Sequence, residues 1–273
     1  MTRQPVVWIA CVAAAWASCA SVGATQRGAS ASCRQLVEQL RPDQPDMKRY
    51  EAAVGLAALG TEAACAIDPL RAATRDDWFI IRAAAVRALG SIGPAALGAA
   101  PDVMARWTDR EVSAHDIVTA LNGLGPRVMP QLVPYLDAKR GEDEVAAGSY
   151  GIAAQALGTF GARAVPLLIR ALRRPQARVA AADALRYIGP DAEPAVPALV
   201  VAYDAKGSDR WDRGAVLSAL HKIGARACAA RTLLERLLAK ERSLGQVGPP
   251  SYEARTLTAT LAKLAACSAA KPR

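Results

Sequence analysis

The chain has 273 residues, of which 52% are hydrophobic, 5% aromatic and 22% charged, with a net charge of +9, six Cys and two His. That length supports a sizeable core, the apolar fraction excludes a disordered chain, and abundant Ala with few aromatics favours helices over sandwiches or barrels. Two histidines leave little material for metal sites or His-based catalysis.

Residues 1–24 have the layout of a secretory signal peptide. Arg3 gives a positive start, Val6 to Ala17 form an uncharged apolar stretch, and Val22-Gly23-Ala24 offers a small-x-small cleavage site. The apolar run is shorter than the ~20 residues that span a bilayer, and no later segment is expected to span. Cleavage near Ala24 is ranked first. The alternative is a lipid anchor, because Trp16-Ala17-Ser18-Cys19 resembles the box before the lipidated cysteine of bacterial lipoproteins. Removing one basic and no acidic residue from +9 leaves a mature charge of +8, which suits an acidic protein or anionic envelope polymer before nucleic acid.

Cys33, Cys65, Cys228 and Cys267 remain after either route, and no Cys-x-x-Cys pair exists to suggest zinc. Four thiols in an exported chain read as disulfides, with three possible connectivities. Cys33 and Cys65 each begin a helix with one antiparallel helix between them. Cys228 begins a helix, and Cys267 ends the antiparallel helix that follows. The expected pairs are therefore Cys33–Cys65 and Cys228–Cys267.

Residues 25–45 read as an N-terminal segment and capping helix. From 46 to 240 the chain repeats itself. Ala-Leu-Gly-Ser-Ile-Gly at 88–93 recurs as Ala-Leu-Asn-Gly-Leu-Gly at 120–125, Ala-Leu-Gly-Thr-Phe-Gly at 156–161, Ala-Leu-Arg-Tyr-Ile-Gly at 184–189 and Ala-Leu-His-Lys-Ile-Gly at 219–224. An earlier copy, Gly-Leu-Ala-Ala-Leu-Gly, lies at 55–60, and a degenerate one, Thr-Leu-Ala-Lys-Leu-Ala, at 260–265. The closing glycines are 33, 32, 36, 28 and 35 residues apart, a period that holds two helices of about 12 residues and two turns.

Within a unit, Ala83, Val86, Leu89 and Ile92 form a helical apolar stripe, and Gly93 suits the left-handed position that closes a helix. Pro94, Pro126 and Pro190 stop the first helix. Pro69, Pro101, Pro130, Pro166 and Pro194 mark the start of the second, whose apolar face is Val165, Leu168, Ile169 and Leu172 in the fourth unit. Asp76-Asp77 reads as a helix N-terminal cap. Neither helix can bury its stripe alone, so the fold class is all-α, a right-handed α-solenoid of about six to seven antiparallel helix pairs. Residues 241–273 read as a loop, centred on 244–251, and a C-terminal capping helix.

Asp77 to Gly93, with Asp before the helix, Arg on it and Ala-Leu-Gly near its end, resembles a HEAT-like repeat of the short type named after the phycobilisome lyases. Asp212-Arg213 and Arg178-Val179 hold partial versions of the Asp/Arg pair. The third unit has Asp109 and Glu111 without a matching Arg, so the Asp/Arg ladder is expected to be interrupted there. The resemblance implies that the second helices line a concave face, where Arg71, Arg106, Tyr135, Arg170, Arg173, Tyr203, Arg231 and Arg236 would face solvent as a basic stripe with two aromatics.

Enzymes of similar fold need residues that do not occur here. Deoxyhypusine hydroxylases hold iron through His-Glu pairs, but His115 precedes Asp116 and His221 precedes Lys222. No residue marks a bilin pocket. Trp78, Trp107 and Trp211 beside a basic face imitate the alkylpurine DNA glycosylases, yet capping and packing near turns explain them. No nucleophile elbow, phosphate loop or dinucleotide fingerprint is present. The expectation is an exported, periplasmic or secreted scaffold that binds a protein partner without catalysis, cofactor or metal. A lyase- or hydroxylase-type enzyme using the same groove, and an envelope lipoprotein acting as an assembly factor, are the alternatives.

Overall fold

The structure is a computed structural model that describes residues 32–137, 144–243 and 252–264. Residues 1–24, expected to be a signal peptide, together with Cys19, Cys267 and the expected loop at 244–251, lie outside these residues. The chain forms two compact units, Met1–Leu124 and Gly125–Arg273. Both are built from helix pairs, and among the described residues there is no strand. The architecture is an all-α solenoid of repeats.

The first unit contains α1 (32–39), α2 (Asp46–Leu59), α3 (Ile67–Ala73), α4 (Phe79–Ile92), α5 (Ala100–Met104) and α6 (Ala114–Gly123). The first helices of successive pairs pack side by side, α2 on α4 and α4 on α6. Ala83, Val86, Leu89 and Ile92 are all buried, as their spacing requires, together with Leu56, Leu70, Ile117 and Leu121. The second unit contains α7 (Met129–Leu132), α8 (Glu144–Thr159), α9 (Val165–Ala171), α10 (Arg178–Ile188), α11 (Val196–Tyr203), α12 (Arg210–Ile223), α13 (Arg231–Ser243) and α14 (Tyr252–Lys263). Here α8, α10, α12 and α14 pack in succession, with α9 against α10, α11 against α12 and α13 against α14.

All six closing glycines of the repeat have positive φ, from 56° at Gly60 to 85° at Gly125. A residue with a Cβ is strained in that region, which is why the motif ends on Gly. Two apolar stretches, Asp46–Ala73 and Phe79–Met104, are long and apolar enough to cross a membrane by composition, contrary to the sequence expectation. Each is broken at one of these glycines, Gly60 and Gly93, so neither is a single straight helix.

The equal helix lengths expected from the period are not found. First helices run 10 to 16 residues, whereas α3, α5, α7, α9 and α11 run only 4 to 8. The reason is the turn. A 3₁₀ segment such as Gly93–Ala99 or Gly189–Ala195 takes up residues before the second helix can start. Pro101, Pro130 and Pro166 do open their helices, but Pro194 sits inside the 3₁₀ segment, and Pro197 opens α11.

The Asp/Arg pattern works between repeats. Arg49 grips Asp76 of the next turn, and Arg82 grips Asp109 and Glu111 of the one after. The lack of Arg in the third unit therefore leaves its own carboxylates paired. Arg178 and Asp212, each half of a partial pattern in sequence, are bound to each other. Asp76 does not cap α4: its Oδ1 accepts from the Trp78 amide at 2.9 Å, closing the turn before the helix, and the N-cap position, Trp78, contributes no side-chain cap.

Candidate partner-binding surface

The eight residues expected to form a basic stripe fall into different environments. In the first unit, Arg71 donates through Nε to buried Asp102 at 2.7 Å and through Nη1 to Asp68 at 3.3 Å. Arg75 takes the other oxygen of Asp102 at 2.5 Å, so α3 is tied to α5 by a shared carboxylate. Arg106 is half-buried, with Nη1 4.0 Å from Asp109 and an enclosed Nε that has no acceptor. Arg71 thus holds successive repeats together, whereas Arg106, among the described residues, reaches only a carboxylate three residues on.

In the second unit the outcome is mixed. Arg231 pairs with Glu235 at 2.8 Å, and Arg236 with Asp204 at 2.5 Å. Tyr203 is buried rather than solvent-facing, because α11 turns it towards the α11–α12 contact, where the Arg213 guanidinium lies 5.8 Å from its ring centre. Tyr135 is exposed. Arg170 and Arg173 are exposed and pair with no carboxylate among the described residues. Of the three tryptophans assigned to packing, Trp107 is buried and Trp78 half-buried, whereas Trp211 is half-exposed with Arg210 stacked 4.6 Å from its ring.

Arg173 stands at the edge of a cleft of about 520 Å³ between α9 and α11. Ile169, Leu172, Pro197, Ala198 and Val201 make its walls apolar, and Val201 is 70% exposed. Arg178, 3% exposed, also lines it. Its Nη1 donates to Ser208 Oγ at 2.9 Å and Asp212 Oδ2 at 3.1 Å, while its enclosed Nε has no acceptor. Ser208 can accept because its own proton goes to the Ala202 carbonyl at 2.8 Å. The result is an apolar slot with a half-satisfied cation beneath it and a free cation at its lip. Such a slot is of ligand-binding size and composition.

Sequence reasoning selected Arg170 and Arg173 but missed Val201 and Arg178. Val201 could have been found as the one strongly apolar residue on the solvent side of α11. Arg178 stood out only as half of a partial Asp/Arg pattern, and only the fold brings it to Asp212, 34 residues away, and to the cleft.

Two family models match the chain: HEAT repeats over residues 34–122 and the PBS lyase HEAT-like repeat over 150–174. A crystal structure of an engineered protein, a structural-genomics target, is similar at 18% identity, covering 85% of this chain and 96% of that one with a TM-score of 0.34. No curated protein matches the sequence.

Proposed function

We propose that this chain, a HEAT-like repeat protein, is a non-catalytic scaffold whose α9–α11 face receives an acidic segment of another protein. The observation that carries the reading is the apolar cleft lined by exposed Val201 and Arg173, with exposed Arg170 in the adjoining helix α9. An apolar anchor in a slot, flanked by charges that steer and orient the partner, is the usual economy of a protein interface. The occupant that fits is a segment with one apolar side chain between carboxylates, and the charge of +8 left after cleavage (+9 less Arg3) favours such a partner at long range.

We also propose export, with cleavage after Ala24. The layout of residues 1–24 supports it, and so does the Cys33–Cys65 disulfide, a bond suited to an oxidising compartment. Mass spectrometry of the mature N-terminus distinguishes a chain beginning at Thr25 from one lipidated at Cys19.

The binding reading is tested by affinity purification from envelope extract with the wild-type chain, an R170E/R173E variant and a V201D variant. The expected result is an acidic protein recovered by the wild type, lost from both variants and released by salt. Equal recovery by all three would place the binding face elsewhere.

A further inference from the structure

The helix register of the second unit puts a different kind of site on the first-helix face. In the motif Ala-Leu-Gly-x-x-Gly, the glycine at the third position meets the fourth-position residue of the next repeat. A Cβ on Gly158 would stand 2.5 Å from Tyr187 Cβ, and Gly90 meets Gly123 of α6, whose own Cβ would stand 2.2 Å from the Gly90 carbonyl oxygen. The next two repeats carry Arg186 and His221 at that third position. Long polar side chains cannot let the neighbouring helix in so closely, and an open cleft of about 730 Å³ lies there among α10, α12 and α14.

Three cations, Arg186, Lys222 and Arg255, line this cleft against one carboxylate, Asp183. Asp183 is already used by Arg186 at 3.3 Å. Lys222 and Arg255 are exposed and make no ion pair among the described residues. Behind them Lys263 is held, among the described residues, by neutral acceptors: its Nζ lies 3.1 Å from His221 Nε2 and 3.1 Å from the His221 carbonyl. His221 is fixed in turn. Thr260 Oγ1 gives its proton to the Thr256 carbonyl at 2.6 Å, so it accepts from His221 Nδ1 at 3.1 Å. The imidazole therefore carries its proton on Nδ1 and offers Nε2 to the ammonium of Lys263. The cleft gathers positive charge and contains no counter-charge of equal size. Burial first, then Lys263 and Lys222, hold the His221 pKa below its ordinary value, in keeping with a positive local potential.

We propose that this cleft binds a tetrahedral oxyanion of the phosphate type, with Lys222 and Arg255 as its direct contacts and the His221–Lys263 pair as the positioning support behind them. Charge-assisted hydrogen bonds from Lys and Arg to phosphate oxygens are the strong ones, and the Ser218 hydroxyl lining the cleft adds a neutral donor. The site uses first helices only and stands independently of the α9–α11 partner face.

The chain has two histidines, one in each unit, so histidine-selective NMR reads the site with a built-in control. The full chain is titrated with inorganic phosphate against chloride at matched ionic strength, and in a second arm with phosphatidylglycerol vesicles. The expected result is a saturable shift of the His221 resonances and a rise in its titration midpoint, with the His115 resonances unmoved. The charged groups around His221 are Asp183 and Arg186 from α10, Lys222 from its own helix, and Arg255 and Lys263 from α14, of which Lys263 and Lys222 hold the midpoint low. Response to free phosphate identifies a soluble anion, whereas response to vesicles alone identifies a lipid headgroup; either supports the site. A K222Q/R255Q variant, altered only at exposed positions, should keep its melting temperature and bind ~10-fold or more weakly. His221 resonances that ignore both probes, or a variant that binds as tightly as the wild type, would overturn the proposal.

Discussion

Arg82 in α4 reaches Asp109, 27 residues ahead, with Nε 2.7 Å from Oδ2 and Nη2 3.3 Å from Oδ1. The same guanidinium donates to Glu111 at 2.7 Å and, through Nη1, to the carbonyls of Asp76 and Asp77 at 3.0 Å each. One side chain thus closes its own repeat's turn and locks the next. Burial alone would push the Asp109 carboxyl up, but the Arg82 and backbone hydrogen bonds together hold it below its ordinary value.

Arg82→Ala should therefore destabilise the first unit by roughly 2–4 kcal/mol, since it strands a largely enclosed carboxylate as well as two carbonyls. Arg82→Lys should recover only part of this, because an ammonium cannot fork across two oxygens. Urea unfolding of the two variants checks the order. A Lys variant as stable as the wild type would show that packing of the side-chain stem, not the forked hydrogen bonds, is the dominant effect.

Two glycines on facing helices give a second test. A Cβ on Gly123 of α6 would stand 2.2 Å from the Gly90 carbonyl oxygen, and a Cβ on Gly90 would stand 2.4 Å from Ala120 Cα. Helix propensity favours Ala over Gly by up to ~1 kcal/mol, yet contacts this short are with backbone that cannot swing away. Gly90→Ala and Gly123→Ala should each cost about 1–3 kcal/mol net. Gly214→Ala in α12, where nothing lies within 4 Å, should instead stabilise by about 0.5–1 kcal/mol. Thermal melts of the three variants decide it, and a stabilised Gly90→Ala would refute the close approach.

These contacts explain which parts of the fold were legible in sequence. Gly93 and its equivalents could be read directly, because a helix end with positive φ needs Gly and leaves a periodic mark. Gly90 has the same identity but a different cause: it is a packing contact with another repeat, and no local rule separates the two. The Asp/Arg pattern was visible as a motif, but its pairing across repeats was not, so the third unit looked interrupted when Arg82 in fact serves it. The candidate surface was legible only in part. Spacing placed Arg170 and Arg173 on an exposed face, but it could not reveal that Asp102, Glu235 and Asp204 occupy Arg71, Arg231 and Arg236. Tyr203 failed for a similar reason, since the short α11 rotates it into the helix contact.

The His221 site makes unit two sensitive to pH. Unfolded, this histidine protonates near its ordinary value of 6.5; folded, burial and the neighbouring lysines move that event lower. Between the two values the unfolded state binds more protons, so the stabilising contribution is complete above about pH 6.5 and is lost as the pH falls towards the folded value. In phosphate-free buffer the urea midpoint of the wild type should drop between neutral and mildly acidic pH, and His221→Gln should flatten that drop. An identical pH profile in the variant would remove His221 from the cause.

The Cys33–Cys65 disulfide sets the stability of the N-terminal end. The bond joins α1 to the turn before α3, with Cα atoms 6.4 Å apart and Cys33 fully buried. A terminal helix has a neighbour on one side only and is the first to fray. The bond closes a separation of 32 residues, for which chain entropy predicts roughly 3–4 kcal/mol. A C33A/C65A variant should melt ~10 °C or more below the wild type, with amide exchange in α1 speeding up before that of α4. Cys228 is likewise disulfide-bonded, although its expected partner, Cys267, lies outside the described residues. A non-reducing peptide map of the mature chain should therefore show Cys33 joined to Cys65 and Cys228 joined to Cys267. Free thiols at these positions, or a peptide joining Cys33 to Cys228, would overturn the pairing, and an unchanged melting temperature in C33A/C65A would show that α1 is held by packing alone.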